Sequence, residues 1–346
     1  MSVRFVNLVL GMAALACGSN VVDAGNLPER GDGSGGSASG AADGEVVAES
    51  GTPDAGNQLA SSACAISDLG RYRLLFDSDA GRLERRIYTM RADGTELKAL
   101  TPPGEIAREP ALSPDGTRLA YSTLEGVRLL TLATGESELF MADGDQPTWS
   151  PDGLALFYRR CTIESCVVEG LSVADKSYVN GFGGIPLSSP EFSADGTTLV
   201  YDYYTQLNSS VVEVSFGIRA TRLGDLRAWD AVQPSRLKAS HPTISPDSVW
   251  LGAALQCPNE QLPSLWVSPL AVATPPCEGR RVTPAGQASV SNPKWGPGVL
   301  IAYERGTPPR VIAIVAADSG AECVIQALGD DRNPSWVPMA DFRSPQ

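Results

Sequence analysis

An all-β, six-bladed propeller is the fold this sequence predicts, and three observations predict it. A short segment recurs six times along the chain. Each copy carries a proline, followed two residues later by a large apolar side chain. The aligned prolines are Pro110, Pro147, Pro190, Pro242, Pro293 and Pro334, so successive copies lie 37, 43, 52, 51 and 41 residues apart. That period suits a blade of four short antiparallel strands, repeated around a ring.

The first copy, EPALSPDGTRLAYS at 109–122, reads as a β-hairpin. Pro114 presets φ for the first central turn position, and Gly116 accepts φ > 0 without steric cost. Leu119 and Tyr121 then alternate with polar or small neighbours, the period of a strand. The second and third copies are QPTWSPDGLALFYR at 146–159 and SPEFSADGTTLVYD at 189–202. The fourth, HPTISPDSVWLGAA at 241–254, has Ser248 in place of the turn glycine. The fifth, NPKWGPGVLIAYER at 292–305, has a shortened turn, and the sixth is NPSWVPMADFR at 333–343. The apolar positions are Leu112, Trp149, Phe192, Ile244, Trp295 and Trp336. A bulky residue at every equivalent position predicts a layer packed between neighbouring blades.

The SPDG turns, together with IYTMRADGTELKALT at 87–101, resemble the TolB-type propeller, the Pro-Asp variant of the WD repeat. The resemblance covers residues 72–342. It implies the six-bladed fold and a channel mouth that receives a partner protein. The α/β domain that precedes the propeller in that family finds no counterpart in this sequence.

The two ends of the repeat array complete each other. The segment ahead of the first copy supplies strand candidates at 73–76, 86–91 and 97–101 but no leading strand. The sixth copy supplies one strand, at 333–338. Together they make one blade, and the ring closes by pairing the two ends of the propeller, which removes exposed sheet edges.

Residues 1–16 read as a signal peptide: Arg4, then an apolar run of 12 residues, too short to span a bilayer. The run ends in Ala14-Leu15-Ala16-Cys17, which resembles a bacterial lipobox, with Cys17 as the lipidated first mature residue. Gly18 rather than Asp follows, which under that resemblance points to the outer membrane. Residues 17–63 are a tether, rich in Gly, Ser, Ala and Asp. With so few large apolar residues, the tether cannot offset its ordering entropy by burial. The propeller domain is 64–346. The chain's net charge is −13, with an excess of acidic residues in both tether and propeller. Such a chain repels nucleic-acid phosphates, and no basic patch with interleaved aromatics relieves this.

Seven cysteines fit an exported chain. With Cys17 lipidated, six remain. The repeat map pairs Cys161 with Cys166 across one hairpin and Cys257 with Cys277 within the fifth blade. Cys64 is left with Cys323, tying the propeller's entrance to its last complete repeat. No spacing resembles a zinc site, and no metal or other cofactor is expected.

His241 is the chain's single histidine, and no GxSxG elbow accompanies it, so a Ser-His-Asp triad and multi-histidine metal sites find no support. A structural role for His241 is expected. The turn aspartates Asp115, Asp152, Asp195 and Asp247 are expected to accept hydrogen bonds from backbone N–H groups two residues on. Asp143-Gly144-Asp145 is too small a ligand set for an EF-hand-like calcium loop.

The polar residues entering each innermost strand are the candidate site. Arg108, Glu109, Asp145, Gln146, Ser189, His241, Asn292, Arg332 and Asn333 are expected to rim one mouth of the central channel and bind a partner. The longest inserts, around 223–237 and 259–278, add Trp229 as a candidate exposed anchor, whereas Trp266 reads as core. The function expected is therefore a monomeric, non-enzymatic envelope lipoprotein. It would stand in the periplasm or at the cell surface and hold a protein or glycan partner at the channel mouth. The alternative is a carbohydrate-processing enzyme using two carboxylates in the channel.

Overall fold

In the computed structural model the described residues are 64, 66–162, 165–182, 187–206, 214–325 and 328–337. Cys17, the signal segment and the tether lie outside them. Among the described residues there are six four-stranded antiparallel sheets and a single 3-10 turn, Leu69–Arg71. Each sheet is one blade, and neighbouring blades meet through their first strands. Five blades take consecutive strands, as in Arg108–Leu112, Arg118–Ser122, Gly126–Thr131 and Ser137–Ala142. The remaining blade is built from both ends of the propeller. Strand Asp331–Trp336 pairs with Arg73–Ser78, followed by Arg86–Arg91 and Lys98–Ala99. The ring closes as the repeat pattern predicts, with the closing strand starting and ending two residues earlier than expected.

Six hydrophobic cores hold the ring, one between each pair of adjacent blades. The second strand of each blade serves two of them at once. In Arg73–Ser78, Leu74 and Phe76 pack toward the sixth blade while Leu75 packs toward the second. In Ala155–Cys161, Leu156 and Tyr158 face one neighbour while Ala155 and Phe157 face the other. This is why these strands are apolar on both faces: alternate side chains leave the pleat in opposite directions, and both directions are buried. The apolar residue two after each proline joins these layers, as Trp149 does between the second and third blades.

The turns take the predicted form. Gly116 N–H donates to Ser113 C=O at 2.8 Å, and Gly116 has φ 71°. Ser248 adopts the same left-handed conformation, φ 59°, without a glycine's freedom. The turn aspartates accept from the N–H two residues on, Thr117 to Asp115 at 3.1 Å and Leu154 to Asp152 at 3.0 Å among them. Hydrogen bonds from the preceding serines, Ser113 and Ser150, hold these two carboxyls below their ordinary range. In the sixth blade Gly296 stands where most of the other turns carry serine, and a Cβ there would collide with the Trp336 ring.

The insert at 223–237 is not a loop. The fourth blade spends the extra residues on longer strands, Thr198–Gln206, Val214–Arg222 and Ala228–Ser235. The disulfides are Cys161–Cys166, Cys257–Cys277 and Cys64–Cys323, the last joining residues 259 apart. On an unfolded-state entropy argument that longest loop stabilises most, by about 4–5 kcal/mol as an upper figure. Thermal melts of Cys64→Ala/Cys323→Ala should therefore show a markedly larger loss than Cys161→Ala/Cys166→Ala. Equal losses would mean that ring closure does not depend on this bridge.

Candidate functional site

The residue before each repeat proline is left-handed in all six blades: Glu109 φ 55°, Gln146 φ 50°, Ser189 φ 53°, His241 φ 52°, Asn292 φ 43° and Asn333 φ 52°. Non-glycine residues rarely adopt this conformation, Asn and His more readily than most. The strand register shifts at the same place in each blade, for example between Arg108 and Ala111 opposite Ser122 and Ala120. Each first strand thus carries a bulge. Proline fits there because the strand is its sheet's edge and the bulge needs no ladder N–H at that residue.

The bulge turns the left-handed residue's own N–H away from its blade. In five blades that N–H donates to a side chain of the preceding blade. Glu109 N–H donates to Asp77 Oδ1 at 3.1 Å, and Gln146 N–H to Glu109 Oε2 at 3.0 Å. Ser189 N–H donates to Gln146 Oε1 at 2.8 Å, His241 N–H to Asp202 Oδ1 at 3.3 Å, and Asn333 N–H to Glu304 Oε1 at 2.9 Å. Asn333 Nδ2 also donates to Asp77 Oδ1 at 2.7 Å, and Asn292 Nδ2 to Asn333 Oδ1 at 2.9 Å. The result is a collar of inter-blade hydrogen bonds around one mouth of the channel.

Charge is confined with the collar. Burial pushes the Asp77 carboxyl above its ordinary range, against the Arg85 guanidinium 2.8 Å away. Burial also raises Glu109, and the neighbouring Asp145 charge raises it further. Burial holds His241 below its ordinary value, and its buried Nδ1 has no hydrogen-bond partner among the described residues. Beside the closing strand, Asp330 accepts from Arg85, Arg310 and Arg332.

Inside the collar lies a cavity of about 450 Å³. Its walls come from the first strands and their turns, with Trp149, Trp295 and Trp336 contributing. Trp149 and Trp336 bridge blades, donating their indole N–H to Ala111 O at 3.0 Å and Lys294 O at 2.9 Å. Among the described residues no cluster of three His, Cys, Asp or Glu side chains is placed to hold a metal ion.

The structure brings Glu109, Gln146, Ser189, Asn292 and Asn333 together around this cavity. His241 occupies the equivalent backbone position but is absent from the cavity wall. The row one residue earlier faces its own blade: Asp145 pairs with Arg159 at 2.6 Å, and Arg332 donates to Asp330. Arg108, opposite Ser122, makes no ion pair among the described residues. Trp229 is not an exposed anchor. It is half-buried against the core between the fourth and fifth blades and donates to Leu270 O at 2.9 Å. Trp266 is buried in the same core, as the sequence indicated. Sequence reasoning missed Asp77, Asp202 and Glu304, the acceptors in the second strands. Their signal was a charged residue ending an apolar strand, as in LLFD, LVYD and IAYE.

Two measurements test this electrostatic arrangement. Asp77→Ala takes from the buried Arg85 its closer carboxylate, leaving Asp330 alone, and removes the acceptor for two collar donors, so a loss of about 3–5 kcal/mol is expected in urea titrations. A loss below about 1 kcal/mol, the size of an ordinary hydrogen-bond deletion, would show that the ring does not depend on the collar. Burial lifts the Asp331 carboxyl to about 6. The folded state therefore holds this proton more tightly than the unfolded chain, and stability from this group falls as pH rises from about 4 to about 6. Melts of wild type and Asp331→Asn across that window should show wild type gaining on the variant as pH falls. A constant difference would place the Asp331 titration elsewhere.

No family model matches the chain. One curated relative, the TolB homologue of Chlorobium luteolum, is 30% identical over 189 residues, a match covering 50% of this chain and 43% of that protein. Among solved structures, TolB from Acinetobacter baumannii superposes with a TM-score of 0.64 at 16% identity, covering 78% of this chain and 67% of that one. A chain of a nidogen/laminin complex gives a TM-score of 0.57 at 11% identity, covering 77% and 98% respectively. At these identities the structural likenesses speak for the fold alone.

Proposed function

We propose that this chain, a TolB-like six-bladed β-propeller, is a non-enzymatic scaffold of the cell envelope that holds a protein partner at its channel mouth. The collar carries this reading. Its members are fixed by backbone conformation and inter-blade bonds, so the mouth is pre-organised and little ordering is needed on binding. It opens into a cavity in the size range of ligand sites, roughly 300–1,000 Å³. The buried carboxylates that would interest an enzyme, Asp77 and Glu109, are already committed. Asp77 accepts from Arg85, Asn333 and Glu109 N–H, and Glu109 accepts from Ser122 and Gln146 N–H. A lipidated Cys17 would keep the protein at the membrane. We place the protein as an outer-membrane lipoprotein with its propeller in the periplasm or at the cell surface.

The test is photo-crosslinking in intact cells. A crosslinker at Ser189, on the mouth, should capture one or a few discrete partners; one at the exposed Leu226, away from it, should not. Arg108→Glu should reduce capture from Ser189 severalfold with the melting temperature unchanged, because a partly exposed charge outside any ion pair alters stability little. Arg332→Glu is a poor variant for this purpose, since the new carboxylate would face Asp330. Cys17→Ser should move the protein, and the capture, out of the membrane fraction. Equal capture from both positions would remove the mouth as the partner site, and capture indifferent to Arg108→Glu would remove Arg108 from it.

A further inference from the structure

The collar is interrupted on one side. Asp77, Ser122, Asp202 and Glu304 hold equivalent second-strand positions; the third blade has Arg159 there and uses Gln146 Oε1 as its acceptor instead, and the fifth has Ala254, opposite Ser240. Of the six left-handed collar residues, Asn292 is the one whose N–H finds no side-chain acceptor on the blade before, among the described residues. The unpartnered Nδ1 of His241 lies at the same seam.

The seam is closed one level deeper, at the residue after each proline. Thr243 Oγ1 accepts Trp295 N–H at 2.8 Å and donates to Glu191 Oε1 at 2.7 Å. Ile244 N–H donates to the same oxygen at 2.9 Å. Glu191 Oε2 receives Lys294 Nζ at 2.6 Å. Glu191, from the fourth blade, thus reaches past the fifth to fix a lysine of the sixth.

That lysine stands in the channel. Among the described residues Lys294 is the only basic side chain on the cavity wall, and its side chain is 34% exposed against 16% for Glu191. An ammonium has three protons to donate, and Glu191 engages one. Glu191 Oε1 already accepts from Thr243 and Ile244 N–H and Oε2 from Lys294, so the free ammonium protons are the larger part of what this pair offers the channel. Thr148 and Ser335, at the equivalent positions of the third and first blades, add hydroxyls to the same level. Nearer the mouth, Gln146 accepts Ser189 N–H through Oε1, which leaves its amide NH₂ to donate.

From this donor set we infer that the channel takes a carboxylate at Lys294, carried by an acidic side chain of the partner segment that enters the mouth. The inference rests on the mouth being the partner site and adds what the partner must present. Lys294 is the specificity-determining cation, Glu191 its positioning residue. Charge-assisted donation to a carboxylate is about twice as strong as a neutral hydrogen bond, and the low-dielectric Pro and Trp side chains of the wall strengthen it further.

The probes are acetyl-glutamate amide and its neutral isostere acetyl-glutamine amide, with inorganic phosphate as a second anion. Binding is read by calorimetry and by the fluorescence of Trp295 and Trp336 on the cavity wall. Wild type should bind the glutamate probe saturably and about tenfold more tightly than the glutamine probe, as the loss of one charge-assisted bond predicts, and more tightly than phosphate. Lys294→Gln should abolish that preference, Lys294→Arg should retain it, and Glu191→Gln should tighten glutamate binding by removing the competing anion. The Lys294→Arg and Glu191→Gln variants keep the test decisive should Lys294→Gln fail to fold. The inference is overturned if wild type shows no saturable glutamate binding. It is also overturned if the two amides bind equally, if phosphate binds as well, or if Lys294→Gln changes nothing. Mouth crosslinks that persist without carboxylate preference would sink this inference alone. Carboxylate preference without mouth crosslinks would sink the partner-site reading.

Discussion

Closing a ring of six sheets sets a backbone problem that the left-handed residue before each proline solves. Each first strand must run beside the channel while its sheet fans outward. The bulge supplies the bend but strips one N–H from the ladder, in a place where an unsatisfied donor costs about 1–3 kcal/mol. The preceding blade supplies the acceptor. Backbone donation runs from the later blade to the earlier one, from Glu109 to Asp77, Gln146 to Glu109, and Ser189 to Gln146. Asn333 links the two ends of the propeller by serving both Glu304 behind it and Asp77 in its own blade. These links exist only once Asp331–Trp336 has joined Arg73–Ser78.

The choice of acceptors follows from electrostatics. A collar made wholly of carboxylates would bury like charges side by side, and Glu109 already feels Asp145. Amides accept equally well without charge. Gln146 and Asn333 take such positions, accepting from Ser189 N–H and Asn292 Nδ2, while Asp77, Asp145 and Glu304 are countered by Arg85, Arg159 and Arg310. Asp202 is held by hydrogen bonds from Ser188 and His241 N–H.

Much of this frame was legible in the sequence. The proline register fixed the blades, the closing strand and the three cysteine pairs, because each follows from position within a repeat. The left-handed conformation was not legible. Six polar residues ahead of six prolines satisfy a recognition surface and a backbone collar equally well, and only geometry separates the two demands. Asn292, Asn333 and His241 were the available hint, being residue types tolerant of φ > 0. Trp229 misled because its flanks, Ala228 and Asp230, are polar or small. Its partner is the Leu270 carbonyl of the next blade, a contact no local pattern encodes. The insert at 223–237 misled for the opposite reason: most of it is the blade's fourth strand, Ala228–Ser235, lying beside Val214–Arg222.

Glu191 and Lys294 show where individuality enters a repeated scaffold. Side by side, the residues after the six prolines read Ala111, Thr148, Glu191, Thr243, Lys294 and Ser335. Four are small, and the two charged ones are separated by one blade, a gap that a glutamate and a lysine side chain can span together. They span it at the blade whose collar position is Ala254. A side-chain acceptor at that position would satisfy Asn292 N–H at the mouth, as Asp77, Asp202 and Glu304 do for Glu109, His241 and Asn333, and the seam would need no deeper polar bridge. With alanine there, the seam is held by Thr243 and Glu191 instead, and the cation that balances Glu191 has to stand where it can reach it, in the channel. The symmetry of the frame thus confines departures from the repeat to a few positions, and here one departure at the mouth accompanies a charge inside the channel.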